Sequence, residues 1–220
     1  MDGAQFLAAI FQLEEGEQIN VRAFHARSGR RGFHDFLPTP QGAWEYAQSL
    51  PSDLEIYFGV NPRRGRDGSK EGVTRVHLLH ADVDDKRFAS HEDGREATVG
   101  FDLTPTIVVD SGAGHHGYWL LTEATDDFDA AEQMMRRLYL ALGGLDATQD
   151  VSRVFRIPDT WNNKDPRNRR RVTVVFANLA NTYTLDDFDK ALPELPVELP
   201  HREIVEVVAD GERPSLELLR

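Results

Sequence analysis

The chain has 220 residues, 40% of them hydrophobic and 28% charged. That is ordinary for a globular protein and long enough for one sizeable domain, with or without a tail. It has no cysteine, which excludes disulfides and thiolate zinc sites, and a net charge of −12, which argues against strong unaided binding to nucleic acid. Residues 1–13 lack the basic start and long apolar run of a secretory signal, and no apolar stretch approaches the roughly 18–20 residues that cross a bilayer. A soluble, cytoplasmic protein with no membrane partner is expected.

In chain order, residues 4–13 (AQFLAAIFQL) repeat apolar side chains at helical spacing, and Glu14-Glu15-Gly16 closes the run. Ile19 to His25 alternates as a strand, Ser28 to Gly32 reads as a turn, and Phe33 to Leu37 reads as a second strand stopped by Pro38 and Pro40. A helix over about Ala43 to Leu50 and a strand over Leu54 to Val60 follow. Asn61 to Gly72 is polar, Gly-rich and basic, hence an exposed loop, and Thr74 to Asp84 is a strand. Asp85 to Leu103 has no clear period and reads as a loop holding a short helix. Thr106 to Asp110 is a strand, and after a Gly-rich turn Tyr118 to Leu121 starts another. Phe128 to Leu142 is the strongest helix, ended by Gly143-Gly144. Val154 to Ile157 and Val172 to Phe176 are strands, and Leu185 to Leu192 is a helix capped by Thr184. Residues 1–192 form the expected domain, and the Pro/Glu-rich residues 193–220 a tail or linker. Helices mixed with hairpin-joined strands predict an α+β (mixed α/β) fold.

The charge is uneven. Residues 61–75 carry Arg63, Arg64, Arg66, Lys70 and Arg75 against Asp67 and Glu71, a net of +3. Residues 151–171 carry seven basic side chains against Asp159 and Asp165, a net of +5, so the remainder holds −20. Two basic islands on an acidic body suit a local phosphate site better than a broad duplex-binding face.

Three segments carry chemistry. In Val76 to Asp85 (VHLLHADVDD), a strand's period of two points Asp82 and Asp84 to one face at its end. Taken alone, such a pair reads as an acidic turn. Adjacent carboxylates repel and are costly to bury unless a cation joins them, and a magnesium or manganese pair would supply one. Asp85 faces away and reads as a solvated bystander. In Ser111 to Trp119 (SGAGHHGYW), glycines let backbone amides approach an anion, and a neighbouring histidine can donate to phosphate. A strand there puts His116 and Tyr118 on one face, and His115 and Trp119 elsewhere. In Asp146 to Lys164, Arg153, Arg156 and Lys164 could neutralise a polyphosphate, Asp150 or Asp146 could complete a metal site, and Phe155 and Trp161 should be buried.

This ordered set, HADVDD, SGAGHHGYWLL and DVSRVFRIPDTWNNK, resembles the archaeo-eukaryotic primase superfamily in its RepB-like primase or primase-polymerase branch, found in plasmids, phages and mobile elements. Arg153, Arg156, Pro158, Thr160, Asn162 and Lys164 match that branch's third motif, with Asp159 in place of its usual glycine, and FGVNPR resembles the segment before the first motif. The resemblance spans roughly residues 54–176. It implies a primase-polymerase catalytic core with an RNA-recognition-motif-like sheet plus an N-terminal α/β unit. It also implies that Asp82, Asp84 and Asp150 (Asp146 as rival) bind Mg2+ or Mn2+, with Asp82, Asp84, His116 and Asp150 as the catalytic set. Ser111, Gly112, Gly114 and His116 would contact the nucleotide with Arg153, Arg156 and Lys164, and Arg63, Arg64 and Arg66 would contact DNA. The implied partners are single-stranded DNA template and primer, nucleoside triphosphates, and a helicase domain or replication initiator.

Two other classes compete. A replication-initiator nickase needs a histidine–metal site and a Tyr nucleophile, but His77 and His80, three apart in a strand, are expected on opposite faces. A non-catalytic nucleotide or nucleic-acid binding module has no need of crowded carboxylates.

Overall fold

The computed structural model describes residues 1–26, 28–144 and 149–195. Asp2 starts α1 (Gly3–Ile10) by accepting the Gln5 amide at 2.8 Å, while the Gln5 side-chain oxygen accepts from the Asp2 amide at 3.0 Å. The helix stops at Phe11, whose backbone is extended, so it is shorter than its apolar pattern. β1 (Ile19–His25) and β2 (Arg31–Leu37) form the expected hairpin. α2 (Pro40–Ser49) begins earlier than expected, because Pro40 sits in the first turn behind the Thr39 cap and there starts a helix. The chain continues through β3 (Leu54–Gly59), β4 (Val76–Asp84), a 3-10 turn at Asp85–Arg87, α3 (His91–Val99), β5 (Ile107–Asp110), β6 (Gly114–Thr125) and α4 (Phe128–Ala141). It ends through β7 (Val154–Arg156), β8 (Trp161–Asn162), β9 (Arg170–Arg171), β10 (Thr173–Ala177), β11 (Thr182–Tyr183) and α5 (Leu185–Ala191), the last capped by Thr184. The fold is mixed α/β with sheets that are antiparallel except at β11.

One sheet has the order β2-β1-β3-β7, antiparallel throughout. The second has β6 at its centre, with β4 on one side and β5 then β10 on the other, and β11 running parallel beside the later part of β6. β8 and β9 form a small separate hairpin. Between the sheets lies one apolar core, to which α1 adds Phe6, Leu7 and Ile10, the first sheet Val21, Ile56 and Phe58, and the second Leu78, Ile107 and Tyr118. The Phe6 ring touches both sides, 5.6 Å from Phe58 and 5.3 Å from Tyr118. Burying a side chain of this size stabilises by about 1.5–3 kcal/mol. The other face of the second sheet, with Leu79, Ala81, Val83 and Trp119, packs against α4 and Phe188 of α5.

Alternation along β4 therefore separates two environments: Leu78 and His80 face the inter-sheet core, and Leu79, Ala81 and Val83 face the helices. The alternation fails at one point. The register shifts between Val76 and Leu78, and His77 lies against Phe11 while His80 lies against Phe155, both aromatic rings of the same core. The expected split of the two histidines to opposite faces is thus lost to a bulge, although each packs on a different ring. β6 also starts earlier than expected, since Gly114 to Gly117 is already strand and only Ser111 to Ala113 turns. Among the described residues no helix is long and apolar enough to cross a membrane.

Candidate active site

β4 and β6 pair with Asp82 opposite His116 and Asp84 opposite Gly114. Asp82, Asp84 and His116 therefore meet on one face at one end of the sheet, as the period of two requires. They line an open pocket of about 440 Å³ with Ser111, Gly112, Ala113, Arg156, Asn162, Lys164 and Arg170; Asp85, Lys86, Asp165 and Asn168 complete the rim. The volume falls in the range of small-molecule sites.

The electrostatics follow from burial. Asp82 lines the pocket with its side chain 43% exposed. Desolvation pushes its carboxyl above the usual range, Arg153 pulls it back, and neighbouring Asp84 raises it further. His116 is buried and stacked on Phe155, with ring centroids 4.3 Å apart, and its Nε2 is 3.7 Å from Asp82 Oδ1. Burial first, then Arg156, holds its pKa far below that of free imidazole, so the ring is neutral at pH 7. His80, one step further along the same face, is pushed down to about 3 by burial and Arg153. Asp84 accepts the Lys86 amide at 3.0 Å, which turns the chain away at the end of the strand.

The Ser111–Ala113 turn is closed from within. The Ser111 amide and hydroxyl both donate to the Gly114 carbonyl at 2.9 Å, and the Gly112 amide donates to Asp110 Oδ1 at 2.7 Å. An amide nest built on Gly112 is therefore not what the turn offers, since that donor is taken. Its glycines serve close approach. Gly112 has φ +83 and its absent Cβ would lie 2.8 Å from Arg170 Cβ, while a Cβ on Gly114, φ +153, would lie 2.3 Å from the Val83 carbonyl oxygen. Asn162 fastens the turn from the β8–β9 hairpin by donating to the Ser111 carbonyl at 2.7 Å.

Arg156 enters from the first sheet. Its Nε donates to Glu55 Oε2 at 2.7 Å, its Nη2 reaches the same oxygen, and its guanidinium lies 5.0 Å from the Tyr57 ring centroid. Lys164 and Arg170 are exposed on the pocket wall. Arg153 is half-buried and acts on Asp82, His80 and His116 through its charge without lining the pocket.

Other sequence candidates lie elsewhere. Asp150 is not among the pocket residues, and its Oδ1 accepts the Ser152 amide at 2.7 Å and the Ser152 hydroxyl at 2.5 Å. Its rival Asp146 lies outside the described residues. Arg63 is fully buried, bonded to the Ser69 and Ser152 carbonyls, so it braces the 61–75 loop and cannot present its charge to DNA. Arg64 and Arg66 are exposed, Arg66 pairing with Asp35 at 2.7 Å. Asp85, read as a solvated bystander, is bonded to His91 at 2.7 Å. Trp161 is half-exposed, lying under Arg169 and Arg171 at 4.8 and 5.4 Å. Asp159 keeps the left-handed turn its glycine counterpart would supply, at φ 65, a conformation aspartate tolerates. Sequence reasoning missed Glu55 and Arg170. The Arg169-Arg170-Arg171 run was visible, but nothing in it marks which arginine turns to the pocket.

No curated protein matches the sequence of this chain. Solved structures do match its fold. The AEP domain of the cyanophage S-2L primase-polymerase (PrimPol) superposes with a TM-score of 0.62 at 19% identity, covering 86% of this chain and 95% of that one. The catalytic domain of primase RepB′, solved in complex with initiator DNA, gives 0.58 at 14% identity and covers 86% and 95%. A longer RepB′ primase chain gives 0.57 at 15% identity, covering 86% of this chain and 62% of that one. Residues 62–177, just over half of the chain and all three motif segments, match the family described as the RepB DNA-primase N-terminal domain, and the chain belongs to that family.

Proposed function

We infer that the chain is a template-directed nucleotidyltransferase, a DNA primase or primase-polymerase that makes or extends primers on single-stranded DNA. One observation carries this reading: two carboxylates on adjacent same-face positions, one of them desolvated, facing a neutral histidine in a pocket walled by Arg156, Lys164 and Arg170. Two carboxylates set side by side repel, nearby Arg153, Arg156 and Lys164 offset that only in part for Asp82, and the donor set is all oxygen, which fits magnesium or manganese. Asp82 and Asp84 would hold the ions. Bound there, they would supply activation of the primer 3′-hydroxyl and charge neutralisation at the phosphoryl group.

The chain's own residues do the rest. Lys164 and Arg170 attract the triphosphate, and Arg156, fixed by Glu55, adds charge at a set position. His116, kept neutral and stacked on Phe155, offers a hydrogen bond to a phosphate oxygen without adding charge. The Ser111–Ala113 turn, narrow because Gly112 and Gly114 lack side chains, lets the nucleotide approach the strand ends. Asp150 is left out of this metal set, because its carboxylate is turned to Ser152. The exposed Arg64 and Arg66 and the basic β8–β9 hairpin are the proposed contacts for template and primer phosphates, in a protein whose remaining surface is acidic. A helicase domain or replication initiator stays a proposed partner. The nickase alternative is less favoured, since no tyrosine among the described residues lines the pocket.

The test is primer synthesis and primer extension on single-stranded DNA with nucleoside triphosphates and Mg2+ or Mn2+. Wild type should be active, and Asp82→Ala and Asp84→Ala should each lose at least about 1,000-fold, as expected when a metal-holding carboxylate is removed. Equal activity of wild type and the double variant would discard the reading, and metal-independent nucleotide binding without synthesis would favour a binding module.

A further inference from the structure

The residues next in sequence to the site form a second cluster on the opposite face of the sheet. His115 pairs in register with Val83 and Asp110, so its ring lies on the side that α3 covers, while His116 faces the pocket. α3 brings His91 to the same place. Its Nδ1 is 2.7 Å from Asp85 Oδ2, and its Nε2 is 3.0 Å from Asp110 Oδ2. His115 Nδ1 faces Asp85 Oδ1 at 3.8 Å, too far for a hydrogen bond. The His115 side chain is 0% exposed, and among the described residues neither of its ring nitrogens has a hydrogen-bond partner; Asp85 Oδ1 is likewise buried and unpartnered. Native structures rarely leave two such atoms facing each other unless something sits between them.

Gly94 of α3 borders this gap: a Cβ there would lie 3.2 Å from Phe88 Cδ2 and at ordinary contact distance, 3.6 Å, from both Asp85 Oδ1 and His115 Nδ1. We propose that Asp85, His91 and His115 bind a divalent transition metal of the zinc class, with Asp110 orienting the His91 ring. Two imidazoles and one carboxylate are a common zinc donor set, and a tetrahedral shell at about 2.0 Å spaces its ligand atoms about 3.3 Å apart. His91 Nδ1 lies 2.7 Å from one Asp85 oxygen and His115 Nδ1 3.8 Å from the other, and one ligand atom from each of the three residues lies within 4.8 Å of the other two, near enough for small side-chain rotations to close on an ion. Asp110 completes the pattern, because a hydrogen bond from His91 Nε2 to a carboxylate leaves Nδ1 free for a metal and fixes the ring. The fourth position is left for water. Such an ion would tie the end of β4 to α3 and, through Asp110 and its bond from the Gly112 amide, to the back of the pocket turn. The proposal does not depend on the polymerase reading, since His91 and His115 lie behind the sheet and only Asp85 also borders the pocket.

The experiment separates the two faces with D82N/D84N, in which the front carboxylates are neutralised. Chelator-stripped protein is titrated with Zn2+ alone and, separately, with Co2+. One tight equivalent of Zn2+ should remain in D82N/D84N and raise its thermal midpoint by several degrees. Adding His115→Gln or Asp85→Asn should weaken Zn2+ binding by at least about 100-fold, and Co2+ should give a visible absorption band that His115→Gln abolishes. If the His115 variant fails to fold by circular dichroism, the Co2+ band of D82N/D84N and Zn2+-induced shifts of the His91 and His115 ring nitrogens decide instead. Absence of Zn2+ binding in D82N/D84N, or binding untouched by D85N and H115Q, overturns the proposal and leaves His91 as a hydrogen-bonded bridge between two carboxylates.

Discussion

Glu55 is 4% exposed and gathers polar partners from three parts of the chain. Arg156 and the Asn163 amide bond to its carboxylate, and the Tyr57 hydroxyl donates to Oε2 at 3.0 Å. Removing the charge leaves a buried guanidinium only partly compensated, a change that costs about 3 kcal/mol or more. Glu55→Gln should therefore lower stability to urea by roughly that amount and release Arg156, so that nucleotide affinity also falls. A variant that weakens nucleotide binding with no loss of stability would contradict this account. Asp150 supports a second prediction. Because its carboxylate is held by Ser152 outside the pocket, Asp150→Ala should keep primer extension within about tenfold of wild type, far above the activity of Asp84→Ala. That Asp82, Asp84 and His116 share a face was legible in the sequence because a strand's period of two is a local rule. Glu55 was not, since its partner Arg156 is 101 residues away, and Arg63 misled because a basic run in a polar loop gives no sign that one member turns inward.

At the scale of elements, the sequence shows most strands and helices where they are, but it misses the two-residue strands β8, β9 and β11, runs α1 too long, and errs at glycine, proline and histidine. Pro40 reads as a stop and is a start; Gly114-His115-His116-Gly117 reads as a turn and is strand. The second error has a physical source. Glycine disfavours strands by propensity alone, but at Gly114 the β4 backbone comes so close that only glycine fits beside Asp84. Tertiary proximity of this kind leaves no local trace. Gly114→Ala should thus be expensive in two ways, through a forbidden contact with the Val83 carbonyl and through the +153° φ. A loss of about 2 kcal/mol or more in unfolding free energy is expected, with a drop of about 100-fold in kcat, because displacing Asp84 by even 1 Å misaligns what it holds. Gly143→Ala, at φ +80 but with nothing within 4 Å of its missing Cβ, is the control: it should cost about 1 kcal/mol and leave kcat unchanged.

On the scale of the molecule, the site exists because two sheets share a core: Asp82, Asp84 and His116 come from one, Arg156 from the other. The order of strands was not readable from the sequence, since no local pattern says that β7 pairs with β3 or that β6 sits between β4 and β5. One ion pair ties the layers at the far end of β4. Glu17, which precedes β1, is 3% exposed and meets Arg75, which leads into β4, through bonds of 3.0 Å from Nε and 2.9 Å from Nη2. Burial alone would push the Glu17 carboxyl up, but the bonds from Arg75, the Glu14 amide and Thr74 outweigh it and hold the pKa at about 2 against an ordinary 4.5. A folded-state pKa below the unfolded one gives stability that is fully present above the unfolded value and is lost as pH falls through the folded one. The contribution of Glu17 should therefore be complete above pH 5 and drain away between about pH 4.5 and 2. At pH 7, Glu17→Gln should cost about 2 kcal/mol, because Arg75 keeps its charge at a partly buried position with its strongest partner gone. Urea unfolding of wild type and Glu17→Gln from pH 7 to pH 3 measures the difference directly: the two stabilities should converge as the solution is acidified. A gap that stays constant over that range would mean that Glu17 acts through packing and not through its charge.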